Sequence, residues 1–175
     1  MDRFYHLGEW GQWLVIKENL PDLVKGHYVD GWVYMSSVSD LYQPIEVKLK
    51  LTRRVLQNMD KRIKLSVLTK YDLVVRDAQI LRQFSNVEVG LTVNDLPRAV
   101  EPGAPVAARR VNALQRLNEA GLTTYAFISP IIPAITDVEA LIKTTKPFVG
   151  HYWFELLNLR ASGPEFRKWL KEECP

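Results

Sequence analysis

Lys70 follows the apolar run Leu65–Leu68, at the point where a strand would give way to a loop. Lysine is no helix cap, so local structure gives it little reason to stand there. Polar residues close other apolar runs in the same way: Ser37, Ser39 and Asp40 after Trp32–Met35, Thr92 and Asn94 around the end of Val87–Leu91, Ser129 after Thr124–Ile128, and Asn158 with Arg160 after Trp153–Leu157. Hydroxyls, one carboxylate and cations gathered together suit a zwitterionic or phosphorylated small molecule. Asp40 would hold an ammonium group, and Lys70 with Thr92 a carboxylate or phosphate. Ser, Thr, Asn and Asp also cap helices, which accounts for any one of them alone. Glu155 stands inside the apolar run Trp153–Leu157, where a buried carboxylate needs a cation or hydrogen-bond donors, for structure or for a ligand. Arg109 and Arg110, at the start of a helical stretch, read as exposed helix arginines or as anion ligands.

These residues share one place only if the runs are parallel strands. Strands are expected at Leu14–Lys17, Trp32–Met35, Leu65–Leu68, Val87–Leu91, Thr124–Ile128 and Trp153–Leu157. Helical periodicity fills the gaps: Pro21–Val24 capped by Asn19, Ile45–Met59, Asp77–Gln83, Val106–Ala120 stopped by Gly121, Val138–Thr144 capped by Thr136 or Asp137, and Pro164–Glu173. Strands alternating with helices imply an α/β fold with a mainly parallel sheet, in which all strand C-termini open onto one rim. Six units in 175 residues suit a partial (β/α)6 TIM-like barrel, since a complete eight-unit barrel takes about 250. A doubly wound sheet is the alternative, disfavoured because no Gly-x-Gly-x-x-Gly follows a strand. No repeat or linker divides the chain, so residues 1–175 read as one domain with an irregular lead-in over 1–13.

Composition narrows the function classes. The content is 47% hydrophobic and 25% charged, as in an ordinary globular domain. A net charge of +3 permits a nucleic-acid partner without demanding one. The basic run from Lys48 to Lys64 has a solvated helix face as its commoner origin. Cys174 is the single cysteine, so no intramolecular disulfide or thiolate metal cage can form. His6, His27 and His151 lack metal-site spacing. With neither a long apolar span nor a signal-peptide pattern, a cytoplasmic protein with no membrane partner is expected.

Taken in order, Ser39-Asp40 with Tyr42-Gln43-Pro44-Ile45-Glu46, Leu68-Thr69-Lys70-Tyr71-Asp72, Gly90-Leu91-Thr92, Glu101-Pro102-Gly103-Ala104-Pro105, Arg110, Ala120-Gly121 and Pro130-Ile131-Ile132-Pro133 form a recognisable series. The series resembles the radical S-adenosylmethionine proteins of the spore photoproduct lyase type, often labelled DNA-repair photolyase-like, from about Leu7 to Arg160. The resemblance implies a barrel that binds S-adenosylmethionine and a [4Fe-4S] cluster and cleaves the sulfonium reductively to a 5′-deoxyadenosyl radical. By the same resemblance, Ser39 and Asp40 hold the methionine amino group and Lys70 and Thr92 contact its carboxylate. Glu155 and Leu156, within Phe154-Glu155-Leu156-Leu157, lie against the adenosine, and Glu101, Pro102, Gly103 and Arg110 belong to a structural loop and helix start.

The chain departs from the family at its cluster. The Cys-x-x-x-Cys-x-x-Cys loop belongs upstream of the matched segment and Met1 falls just after it, so the barrel is expected to be truncated at its N-terminus, without cluster ligands. Ser37 stands where spore photoproduct lyase has a hydrogen-donating cysteine, and a serine O–H bond is too strong for that task. The expected function is thus a radical S-adenosylmethionine enzyme core that does not hold its cluster in this form. The alternatives are a non-catalytic barrel binding S-adenosylmethionine or a nucleotide, and an unrelated enzyme using Asp40, Lys70 and Glu155 as acids and bases. A homodimer would cover a sheet edge left open by the missing unit.

Overall fold

A computed structural model describes residues 8, 13–35, 39–97, 100–101, 103–161 and 163–173. Five strands, β1 (Trp32–Met35), β2 (Lys64–Thr69), β3 (Asn86–Val93), β4 (Thr123–Ile131) and β5 (His151–Leu156), form one sheet in the order β1-β2-β3-β4-β5. Every pairing is parallel. A doubly wound sheet needs a reversal of strand order, and there is none. With right-handed crossovers always stepping the same way, the connecting helices fall on one face, and the sheet curls as a half-barrel.

The helices are α1 (Leu20–Leu23), α2 (Glu46–Leu49), α3 (Leu51–Asn58), α4 (Ala78–Leu81, after a 3-10 turn at Asp72–Asp77), α5 (Ala107–Glu119), α6 (Val138–Thr145) and α7 (Pro164–Glu173). Side chains alternate across each strand. Leu65, Val67, Val89, Leu91, Val93, Ala126 and Ile128 turn to the helix side and are buried with Leu114 and Leu117 of α5 and Val55 and Leu56 of α3. Gly121, at φ +80°, ends α5: its N–H donates to Asn118 O at 2.8 Å, and the Leu122 N–H donates to Leu117 O at 3.1 Å. This left-handed stop turns the chain into β4 and buries Leu122 beside Leu117.

Four sequence expectations change. Leu14–Lys17 is not a strand; Leu14, Val15 and Ile16 stay 38–48% exposed, so an apolar run that buries nothing gains no partner. The sheet of the described residues therefore has five strands instead of six. The single helix at Ile45–Met59 is broken at Lys50, which is left-handed at φ 50°. Glu46 makes the break tolerable, because its carboxylate accepts from the Thr52 and Arg53 N–H groups at 3.1 and 3.4 Å and caps α3 from outside. Asn19 sits at the start of α1 without a capping side-chain bond, whereas Asp137 does cap α6, accepting from the Ala140 N–H at 2.9 Å. The basic run is also partly consumed: Arg53 pairs with the fully buried Asp77 at 2.5 Å, and Lys61 donates to Leu56, Gln57 and Met59 carbonyls at the end of α3.

Candidate functional site

The strand C-termini share a rim, and a continuous series of polar contacts runs along it from the loop after β1 to β5. It starts at Asp40, whose Oδ1 accepts from the Tyr42 N–H at 2.9 Å and the Thr69 hydroxyl at 2.6 Å, while Oδ2 accepts from the Lys70 N–H at 2.8 Å. A carboxylate has about four acceptor sites, so these bonds leave Asp40 capacity for one more donor. Lys70 then reaches across to the next loop, its Nζ lying 2.5 Å from Glu101 Oε1.

Glu101 is the hub. Arg110 Nη2 donates to its other oxygen at 2.6 Å, and Asn94 Nδ2 donates to Oε1 at 3.3 Å. Burial by itself would raise the Glu101 pKa, but the hydrogen bonds from Lys70 and Arg110 outweigh it and hold the carboxyl below its ordinary value. Arg110 is 3% exposed and also donates to the carbonyls of Pro105 at 2.6 Å and Thr92 at 3.1 Å. It is therefore not the exposed helix arginine that its sequence position suggests; Arg109 is, paired with Asp72 at 2.8 Å on the surface. Asn94 Nδ2 continues the series to Ser129 O at 2.8 Å, and the Ser129 hydroxyl donates to Glu155 Oε2 at 2.7 Å. An open pocket of about 330 Å³ lies beside this hub, lined by Asn94, Glu101, Pro105, Val106 and Arg110. That is the small end of the range for ligand pockets.

The sequence-named residues fall unevenly on this geometry. Asp40, Lys70 and Glu155 are joined in the series, and Thr92 contributes its carbonyl while its side chain is buried on the open face. Ser39 is exposed beside Asp40. Leu156 is 71% exposed and, next to Glu155 on a strand, turns to the opposite face, so the two do not line one surface. Glu155 is exposed on a strand at the edge of the sheet and is satisfied by Ser129, not buried in a barrel interior. Ser37, His6, Pro102 and Cys174 lie outside the described residues. The resemblance names Glu101 only as part of a structural loop; its place as the hub comes from Lys70 and Arg110, which no local pattern in the sequence couples to it.

A second polar group lies lower on the sheet face turned away from the helices. Ser66 and Glu88 are paired in register on β2 and β3, and the Ser66 hydroxyl donates to Glu88 Oε1 at 2.7 Å. Tyr125 crosses Gly90, with its OH 3.3 Å from Ser66 Oγ and its ring stacked on His151 at 5.0 Å. Burial raises the Tyr125 pKa, opposed by the Ser66 bond and reinforced by Glu88 and Tyr34, which keeps the phenol protonated. A Cβ at Gly90 would lie 2.2 Å from the Tyr125 ring, so only glycine fits there. The sequence signal was a polar residue in each of two otherwise apolar strands.

No family model matches the chain. It is 52% identical, over a 179-residue alignment, to "Uncharacterized protein MJ0683" of Methanocaldococcus jannaschii, covering all of this chain and 69% of that protein. It is 25% identical over 175 residues to "Uncharacterized protein ORF301" of Acidianus two-tailed virus, covering 90% of this chain and 58% of the viral protein. Among solved structures, a Ruminococcus gnavus sialic acid aldolase aligns with a TM-score of 0.40 and 10% identity over 77% of this chain and 44% of the aldolase. At just over half identity along its whole length, the chain belongs to the family of the Methanocaldococcus jannaschii protein MJ0683.

Proposed function

We propose that the rim binds the methionine end of S-adenosylmethionine and that the chain is the cofactor-binding part of a radical S-adenosylmethionine protein of the spore photoproduct lyase type. The sheet is then an incomplete (β/α)6 TIM-like barrel. One observation carries the reading: Asp40, Lys70 and Glu155, singled out from separate loops and strands, are linked by the single polar series that runs along the rim. The chemistry fits a zwitterion. Lys70 has three donors, spends one on Glu101 and is 39% exposed, so it can add a ligand carboxylate; Asp40 has an acceptor site left for an ammonium group. Thr92 and Ser39 would complete the contact, with Glu155 toward the nucleoside.

The cluster does not fit this chain. One cysteine cannot replace three thiolates, and the described residues contain no group of three His, Cys, Asp or Glu able to hold a metal. The MJ0683 family member is longer than this chain, and we place the cluster-binding segment in its remaining part. Among the described residues no helix is long and apolar enough to cross a membrane, and the cytoplasm is the compartment proposed. A homodimer is proposed along the β5 edge through Phe154 and Leu156, which are 51% and 71% exposed and alternate to the face opposite Trp153; a monomer mass by light scattering would remove it.

Calorimetric titration of the chain with S-adenosylmethionine and S-adenosylhomocysteine tests the binding claim, which silence with both ligands would end. Anaerobic iron and sulfide reconstitution of the longer Methanocaldococcus protein separates the radical enzyme from the second reading, a barrel that binds without catalysis. A stable stoichiometric cluster favours the enzyme. Binding without any cluster favours the second.

A further inference from the structure

We infer that the Glu88–His151 pair on the open sheet face, floored by Tyr125 and walled by Trp153, is a site for a sugar ring bearing a vicinal diol. The pair lies on the lower part of the sheet, away from the rim. Among the described residues no helix packs on this face, yet Glu88, an acid inside β3, has its side chain only 19% exposed. Both of its oxygens are committed in direction: Oε1 accepts from Ser66 at 2.7 Å, and Oε2 faces His151 Nε2 at 3.7 Å. That separation is too long for a hydrogen bond. It suits two adjacent hydroxyls, one donating to Glu88 and its neighbour bonding His151, each at about 2.8 Å. The imidazole is held in plane by stacking on Tyr125 at 15°, and Tyr125 is held in turn by the space above Gly90. Trp153 meets His151 edge-on at 6.3 Å and is 59% exposed, leaving a flat ring free to cover the C–H face of a sugar.

Other readings of the group are weaker. Ser66 gives its proton to Glu88 and not to His151, so these residues are not a nucleophile–base pair. The acceptor and the imidazole also distinguish the site from a bare aromatic platform, which would not select for hydroxyls. Free sugars and ribonucleosides both carry this diol, and the probes below distinguish the two sources.

Saturation-transfer NMR and fluorescence titration with D-ribose, methyl glucopyranoside, adenosine and 2′-deoxyadenosine test this. The expected result is binding of at least one diol-bearing probe; if it is adenosine, 2′-deoxyadenosine binds at least tenfold more weakly. Adenosine alone identifies a nucleoside as the source, and ribose or the glucoside identifies a free sugar. Glu88→Gln should weaken binding of the diol probe at least tenfold, while S-adenosylmethionine affinity in the same variant stays within twofold of wild type, which separates this site from the rim. If Glu88→Gln fails to fold, Trp153→Leu, at an exposed position, should give at least a fivefold loss. Failure of every probe to bind, equal binding of the deoxynucleoside, or indifference to whichever of these variants folds would overturn the assignment.

Discussion

The Lys70 ammonium and the Glu101 carboxylate meet at 2.5 Å and tie the loop after β2 to the loop after β3. Arg110, 3% exposed, holds the other side of the same carboxylate at 2.6 Å. Removing Glu101 strands a buried guanidinium, which costs more than the pair contributes. Glu101→Ala should therefore destabilise the chain by about 3 kcal/mol in urea unfolding, while Lys70→Ala, which removes a partly exposed partner, should cost about 1 kcal/mol or less.

Acid should weaken the rim in a defined direction. The folded Glu101 pKa is lowered, so its contribution is complete above the unfolded value of about 4.5 and is lost as pH falls through the lower folded value. Unfolding free energy should fall below about pH 4.5, with a shallower slope in Glu101→Gln. Identical slopes in the two proteins would assign the acid sensitivity elsewhere.

Gly90 and Tyr125 make a pair whose coupling has a known sign. Gly90→Ala puts a methyl group into the Tyr125 ring and should cost about 2 kcal/mol or more. Tyr125→Ala removes the ring and its contacts. In the double variant the clash is gone, so the combined loss should be smaller than the sum of the two single losses. Additive losses would mean that the ring does not lie over Gly90.

Asp40 is a latch as well as a candidate ligand. It accepts from Tyr42, Thr69 and Lys70, so Asp40→Asn should cost about 1–2 kcal/mol even without any ligand present. Amide exchange at Tyr42 and Lys70 should speed up in this variant, and unchanged rates would contradict the latch.

Much of the architecture was readable because it rests on short-range patterns. The Val111, Leu114, Leu117 spacing and Gly121 mark α5 and its stop, and five apolar runs closing on polar residues mark β1 to β5. Leu14–Lys17 was misread because an apolar run resembles a strand whether or not anything covers it. The break at Lys50 was invisible because its compensation comes from Glu46, four residues earlier, acting on N–H groups beyond the break. Asp40 and Lys70 stood out as isolated charges at strand ends. Glu88 and His151 did not, and Glu101 stood out only as part of a loop motif, since their roles come from partners brought close by the sheet: Lys70 is thirty-one residues from Glu101, and no local pattern couples them.

The most direct test of the rim as a cofactor clamp is the S-adenosylmethionine dissociation constant of the wild-type chain set beside those of Lys70→Ala and Glu101→Gln. Lys70→Ala should bind at least tenfold more weakly, because it removes the ligand carboxylate's cation, while Glu101→Gln, which frees Lys70 from its competitor, should bind as well as wild type or more tightly. Wild-type affinity in Lys70→Ala, with the fold verified by circular dichroism, would contradict the clamp.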